Sequence, residues 1–158
     1  LLSQIVSYEK CDLSTPHVGN LLVEVRPVQS VDFDALVQMD ALSFHALWRN
    51  SVETLTRWKE TLPYFAVALL GDSPVGYCYC SMDKPGHGHL VRMAVHPMWQ
   101  GQGIGTRLVA EALREFRRAG VQRVTLNTQE ENKRAQWLYR RFGFQLVGRE
   151  AVALWKDL

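Results

Sequence analysis

The chain has 158 residues, 47% of them hydrophobic and 22% charged, a balance that excludes disordered, collagen-like and coiled-coil chains and is expected of one globular domain. Eighteen Lys and Arg against sixteen Asp and Glu leave a formal net charge of +2, too weak a field to expect a nucleic-acid partner. Three cysteines make no disulfide framework, and no apolar run approaches the roughly 20 residues that span a bilayer, so a cytoplasmic chain with no membrane partner is expected.

Residues 1–20 carry loop signals at Ser14-Thr15-Pro16 and Gly19-Asn20, so a short strand followed by a linker is expected there. Residues 21–28 read as a strand. Residues 31–44, with Phe33, Leu36, Val37, Ala41, Leu42 and Phe44 apolar, have helical spacing, and a second helix over 51–62 stops at Pro63. Residues 64–70 and 75–82 flank the Gly71-Asp72-Ser73-Pro74 turn and read as a hairpin. After Asp83-Lys84-Pro85-Gly86 a third strand, 89–95, ends at His96-Pro97. From 103 to 119 the apolar set Ile104, Leu108, Val109, Ala112, Leu113 and Phe116 repeats with helical period, and Gly120 is the expected stop. Then follow a strand over 121–127, a helix over 131–142 closed by Gly143, and two terminal strands, 144–147 and 151–155. A hairpin followed by alternating strands and helices predicts an α+β fold on a mixed sheet.

Gln100-Gly101-Gln102-Gly103-Ile104-Gly105-Thr106 lies between a strand and a helix, where unpaired backbone N–H groups and the positive end of a helix dipole converge. Glycines keep side chains out of a phosphate's way and tolerate positive φ. A P-loop would need Lys where Gly105 stands. A dinucleotide fingerprint would need its third glycine where Thr106 stands, and an acidic residue after the strand that reads Val124-Thr125-Leu126-Asn127.

Gln100, Gly103 and Gly105 resemble the acyl-CoA loop of the GCN5-related N-acetyltransferase (GNAT) family: Gln or Arg, any two residues, Gly, any residue, Gly or Ala. Residues 90–97 look like that family's fourth strand, and Asn132, Ala135, Leu138-Tyr139 and Gly143-Phe144 are similar in order and spacing to its last helix and the strand after it. Ser43-Phe44 and Trp48-Arg49 are similar to the first helix region of the branch that acetylates protein N termini. The resemblance covers roughly residues 21–155. It implies a central mixed, mostly antiparallel sheet of six to seven strands flanked by about four helices. Residues 1–20 would be an N-terminal extension or edge strand, and 21–158 a single acyl-CoA N-acyltransferase domain. The implied activity is transfer of an acetyl group from acetyl-CoA to a primary amine, whether small amine, amino acid or protein N terminus, by a monomer or homodimer. The rival on the same fold is a non-catalytic acyl-CoA sensor.

The resemblance assigns roles to residues. Gln100, Gly101, Gln102, Gly103, Ile104, Gly105 and Thr106 are expected at the pyrophosphate. Met93, Ala94 and Val95 would pair through their backbone with the pantetheine arm, in the manner of an added strand, and offer N–H groups to the oxyanion. Asn132 would contact the same arm, and Tyr139, seven residues on and so on the same helix face, would protonate the departing thiolate. The base is left open between His87, His89 and a water relay: many family members carry Glu where this chain has His87-Gly88-His89, and either imidazole suits a base near neutral pH. Of the basic residues, Arg107 is best placed for the CoA phosphates, while Phe44, Trp48 and Trp58 are expected near the acceptor. Cys78 and Cys80 with His87 and His89 have zinc-ligand chemistry, but strand alternation and the habit of cysteine as a small buried hydrophobe argue against a metal site.

Overall fold

The computed structural model describes residues 2–44 and 48–153. Among these, seven strands are β1 (Leu2–Lys10), β2 (Glu24–Pro27), β3 (Tyr64–Leu70), β4 (Ser73–Lys84), β5 (His87–Val95), β6 (Arg123–Gln129) and β7 (Gln145–Ala153). The helices are α1 (Phe33–Ser43), α2 (Val52–Thr61), α3 (Ile104–Arg118) and α4 (Lys133–Arg141). The strands form one sheet in the order β2-β3-β4-β5-β6-β1-β7, antiparallel throughout except for β5 beside β6. This is the mixed α+β architecture the element pattern predicts.

Each face of the sheet has its own core. On one, α3 buries the whole predicted stripe, Ile104, Leu108, Val109, Ala112, Leu113 and Phe116, against β3, β4 and β5, with Leu138 and Tyr139 of α4 alongside. On the other, Phe33, Leu36 and Met39 of α1 and Leu55 of α2 pack on Phe65, Val67, Tyr77 and Tyr79. β3 and β4 are therefore covered on both sides, which is why they read as near-continuous apolar runs. Neither α1 nor α2 makes an extensive contact with β6, β1 or β7 among the described residues. Among the described residues no helix is long and apolar enough to cross a membrane.

The N-terminal segment differs from expectation. β1 is neither an extension nor an edge: it lies between β6 and β7 and is antiparallel to both. Val6, Tyr8 and Lys10 alternate inward, the first two fully buried, and the Tyr8 hydroxyl donates to Gln136 Oε1 on α4 at 2.9 Å. Lys10 Nζ donates to the Phe142 carbonyl at 2.5 Å, sealing the end of α4. Its ammonium is disfavoured by burial, so its pKa lies below the ordinary lysine value. The two expected terminal strands are one strand. A bulge that skips Val147, where Ser7 pairs with Gly148 but Tyr8 with Leu146, carries the ladder through the supposed break; residues 154 and 155 lie outside the described residues. β5 also begins two residues early, at His87.

Gly88 on β5 is fixed by contact. A Cβ there would sit 2.4 Å from Phe116 Cε1, so α3 approaches β5 only across a bare backbone. Gly88→Ala is expected to destabilise the fold by about 1–3 kcal/mol through overpacking, read as a lower urea midpoint at unchanged slope; an unmoved midpoint would show that Phe116 swings aside freely.

Candidate active site

The parallel pair β5–β6 is registered only from His87 opposite Arg123 to Leu90 opposite Leu126. Both strands then run on, β5 to Val95 and β6 to Gln129, without pairing to one another. On its other side β5 stays bonded to β4 as far as Val95 opposite Gly76. The divergence leaves one edge of residues 93–95 free at a cleft of about 370 Å³. Met93, Ala94 and Val95 form one wall, and Asn132, Ala135 and Leu138 of α4 form the opposite one.

The glycine loop closes the end of the cleft. Gln100, Gly101, Gly103, Ile104, Gly105 and Thr106 all line it, whereas Gln102 does not. Gly101 and Gly103 have φ of 82° and 77°, the left-handed region that side chains rarely adopt. Gly103 is the N-cap of α3 and brings no capping side chain, so the first N–H groups of that helix are left for a ligand. Gly105 serves packing as well: a Cβ there would lie 3.1 Å from Leu138 Cδ2, closing the gap between α3 and α4. Arg134 and Arg141 border the cleft. Arg107 does not; its guanidinium pairs with Glu111 at 3.0 Å, which corrects its expected place among the phosphate ligands. A donor-rich helix start, a bare strand edge and basic side chains suit the phosphates and amide arm of acetyl-CoA.

Of the other expected residues, Tyr139, His87 and His89 do not line the cleft. Asn132 reaches it, but its Oδ1 is engaged as the N-cap of α4, accepting from the Ala135 N–H at 3.2 Å. Tyr139 is buried, its ring centroid 6.5 Å from that of Tyr8 and 5.8 Å from that of Phe144. Burial, and after it the nearby Cys78 and Cys80, push its phenol well above the ordinary value, so it stays protonated. His87 and His89 lie on the opposite face of β5 from Gly88 and Leu90, and so point away from the α3 core that holds Cys78 and Cys80. The four zinc-type ligands therefore do not converge. The two histidines instead meet at one hydroxyl: Thr125 Oγ1 is 2.7 Å from His89 Nδ1 and 3.2 Å from His87 Nε2. Burial first, and then the charge of His87, lower the pKa of His89 below its ordinary value, which favours the neutral imidazole.

A buried polar cluster beside the cleft was not expected. Asp40 of α1 is fully buried and accepts from the Tyr77 hydroxyl, from Arg92 Nη1 at 3.2 Å and from the Asn50 N–H at 2.8 Å. Arg92 lies over the Phe44 ring, 4.2 Å from its centroid, and Asn50 Nδ2 donates to the Tyr79 hydroxyl at 3.1 Å. Burial, followed by the Asp40 carboxylate, pushes the Tyr77 phenol above its ordinary value. The cluster fixes the end of α1 and the approach to α2 against β4 and β5, and thereby sets Phe44 at the cleft mouth. The sequence did hold a signal, since Asp40 follows Leu36 by four residues and so shares its buried stripe.

Residues 33–144 match the family described as the Acetyltransferase (GNAT) family. The chain is similar to the N-alpha-acetyltransferase RimI of Mycobacterium tuberculosis, 39% identical over 88 residues, with 54% of each chain covered. It is also similar to the peptidyl-lysine N-acetyltransferase YjaB of Salmonella typhimurium, 27% identical over 118 residues, covering 68% of this chain and 78% of that one. Its fold is similar to that of the PaiA N-acetyltransferase of Thermoplasma acidophilum in complex with coenzyme A, with a TM-score of 0.66 at 16% identity over 75% of this chain and 87% of that one. The chain belongs to the GNAT family and is an acetyl-CoA-dependent N-acetyltransferase.

Proposed function

We propose that the acceptor is the α-amine of a protein or peptide N terminus, acetylated by direct attack in a ternary complex. The observation that carries this reading is a polar strip across β5, β6 and β1 on the sheet face turned away from α3. There Ser7 Oγ donates to Asn127 Oδ1 at 2.8 Å, and Thr125 joins the two histidines. An open face of this kind receives an extended peptide more readily than it encloses a small amine. Likeness to a named N-alpha-acetyltransferase supports the same acceptor. Three free cysteines among the described residues support a reducing compartment, the cytoplasm.

In this reading the pyrophosphate of acetyl-CoA sits at Gly101, Gly103, Ile104 and Gly105, and the pantetheine arm lies along the free edge of Met93, Ala94 and Val95 with Asn132 opposite. An α-amine, of ordinary pKa about 7.7–8.0, already has a sizeable neutral fraction near pH 7 and needs only a mild base. His89 is that base. With its Nδ1–H donated to Thr125 and the threonine hydroxyl donated on to His87, its Nε2 keeps the lone pair that takes the proton. As the amine nitrogen bonds to the thioester carbon, a backbone N–H of β5 stabilises the oxyanion. The C–S bond then breaks and the thiolate takes a proton; Tyr139, buried next to Leu138 of the cleft wall, is the donor in this reading and must be reached by the thiol end of the arm once CoA is bound.

Acetyl-CoA incubated with peptides of varied first residue, and with N-terminally blocked, lysine-containing controls, is expected to yield products acetylated at the α-amine by mass spectrometry. Acetylation confined to lysine Nζ or to small amines would overturn the acceptor, and bound acetyl-CoA with no CoA released on any amine would indicate a sensor. Tyr139→Phe keeps the packing ring and is expected to lower kcat about 100-fold or more with little change in acetyl-CoA affinity; unchanged turnover would leave the hydroxyl without a role. Since the active form of His89 is neutral and its pKa is lowered, the acid limb of kcat/KM is expected below about pH 6.5. Replacing His89 by Gln should abolish that limb, and His87→Gln, by removing a neighbour whose positive form in acid opposes protonation of His89, should move it to higher pH. An unaltered profile in both variants would hand the proton to water instead.

A further inference from the structure

The segment between β1 and β2 runs along α3 from its last turn to its first. Near one end Arg117 Nη1 donates to the Leu13 carbonyl at 2.8 Å; at the other Gly19 and Asn20 lie against the glycine loop. Gly19 has a φ of 78°, and a Cβ on it would stand 2.4 Å from the Arg107 nitrogen and 2.7 Å from the Gly103 oxygen, so the segment is in backbone contact with the start of the helix. Asn20 then makes two bonds to the loop. Its backbone N–H donates to the Gly103 carbonyl at 3.1 Å, and its side-chain Nδ2 donates to the Gln102 carbonyl at 3.0 Å. The side chain is itself held, because its Oδ1 accepts from the Leu22 N–H at 2.9 Å.

We infer that Asn20 is a positioning residue for cofactor binding, setting the peptide planes of the glycine loop from behind. This rests on the assignment of the pyrophosphate to that loop. A trans peptide is planar, with C=O and N–H on opposite sides. Holding the Gln102 carbonyl toward Asn20 therefore turns the Gly103 N–H the other way, to the cleft that Gly103 lines. Holding the Gly103 carbonyl, which also accepts from the Arg107 N–H at 3.1 Å, does the same for the Ile104 N–H. Glycines at 101 and 103 have many accessible backbone states, so without this clamp the donors would be ordered only at the moment of binding and at the expense of affinity. Asn20 touches neither phosphate nor acyl group; it acts through the loop.

The experiment compares two ligands on the same protein: CoA, by titration calorimetry, and S-acetyl-pantetheine, which lacks the pyrophosphate, by its inhibition constant against CoA binding. Asn20→Ala loses one hydrogen bond behind the loop and is expected to weaken CoA by roughly five- to tenfold while leaving S-acetyl-pantetheine within twofold. Gly19→Ala, which drives the segment off the helix, should weaken CoA at least as much with the same selectivity. Equal loss for both ligands would mean a merely structural role, and an unchanged CoA affinity in both variants would remove the clamp. Gly103→Asp is the separate check on the loop itself. If it binds CoA like wild type, the pyrophosphate assignment falls and the inference with it; if it alone loses CoA, the assignment stands and only the clamp fails.

Discussion

Everything around the cleft depends on one broken ladder. β5 and β6 start as an ordinary parallel pair and part after Leu90 and Leu126, and a sheet that loses a ladder must leave backbone donors and acceptors without partners. Here the exposed edge faces a cleft, where a ligand rich in amides can complete it. The strand needs no particular side chains for this, which explains how Met93, Ala94 and Val95 can be ordinary apolar residues and still form the wall of a binding site. The divergence is held from both sides: β4 stays paired with β5 through a bulge at Val91 as far as Val95, and Ala135 and Leu138 of α4 line the far side of the cleft.

The two ends of the cleft are organised by different forces. At the loop end the field is that of a helix start whose N-cap is a glycine, so partial positive charge is concentrated where no side chain neutralises it. At the mouth a full carboxylate, Asp40, is taken out of water and surrounded by an arginine, a tyrosine hydroxyl and a backbone N–H. Removing one member of such a buried set leaves another charge unpaired, a large cost on the scale of a protein's stability. That makes the cluster a rigid support for Phe44, whose ring lies under the paired Arg92.

The local features were the legible ones. The period of α3, the stop at Gly120, the hairpin turn and the left-handed glycines before Ile104 follow from short-range rules, and the structure meets each of them. What depends on distant partners was hidden. β1 reads as a modest alternating stretch because only its Val6, Tyr8 and Lys10 face is buried, and its two neighbours lie at the other end of the chain. The break between β5 and β6 leaves no mark in periodicity at all. Arg107 looked like a phosphate ligand by position, but Glu111 one turn along the same helix claims it. Tyr139 and Thr125 show the converse: one sits deeper than a residue destined for a cleft wall would, and the other, unremarkable in sequence, is where two histidines meet.

The placement of β1 has a consequence for how the molecule assembles. Its Val6 and Tyr8 belong to the core, yet the strands that flank it, β6 and β7, are the last two of the described strands. A growing polypeptide releases β1 well before β6 and β7, so until those two strands emerge both edges of β1 are open. Closing the sheet must bring the extremes of the described chain together, a contact of high sequence separation that slows folding and gives the final step an all-or-none character. The cleft inherits that dependence: β6, one of the strands whose parting creates it, is anchored on its far side only once β1 has docked.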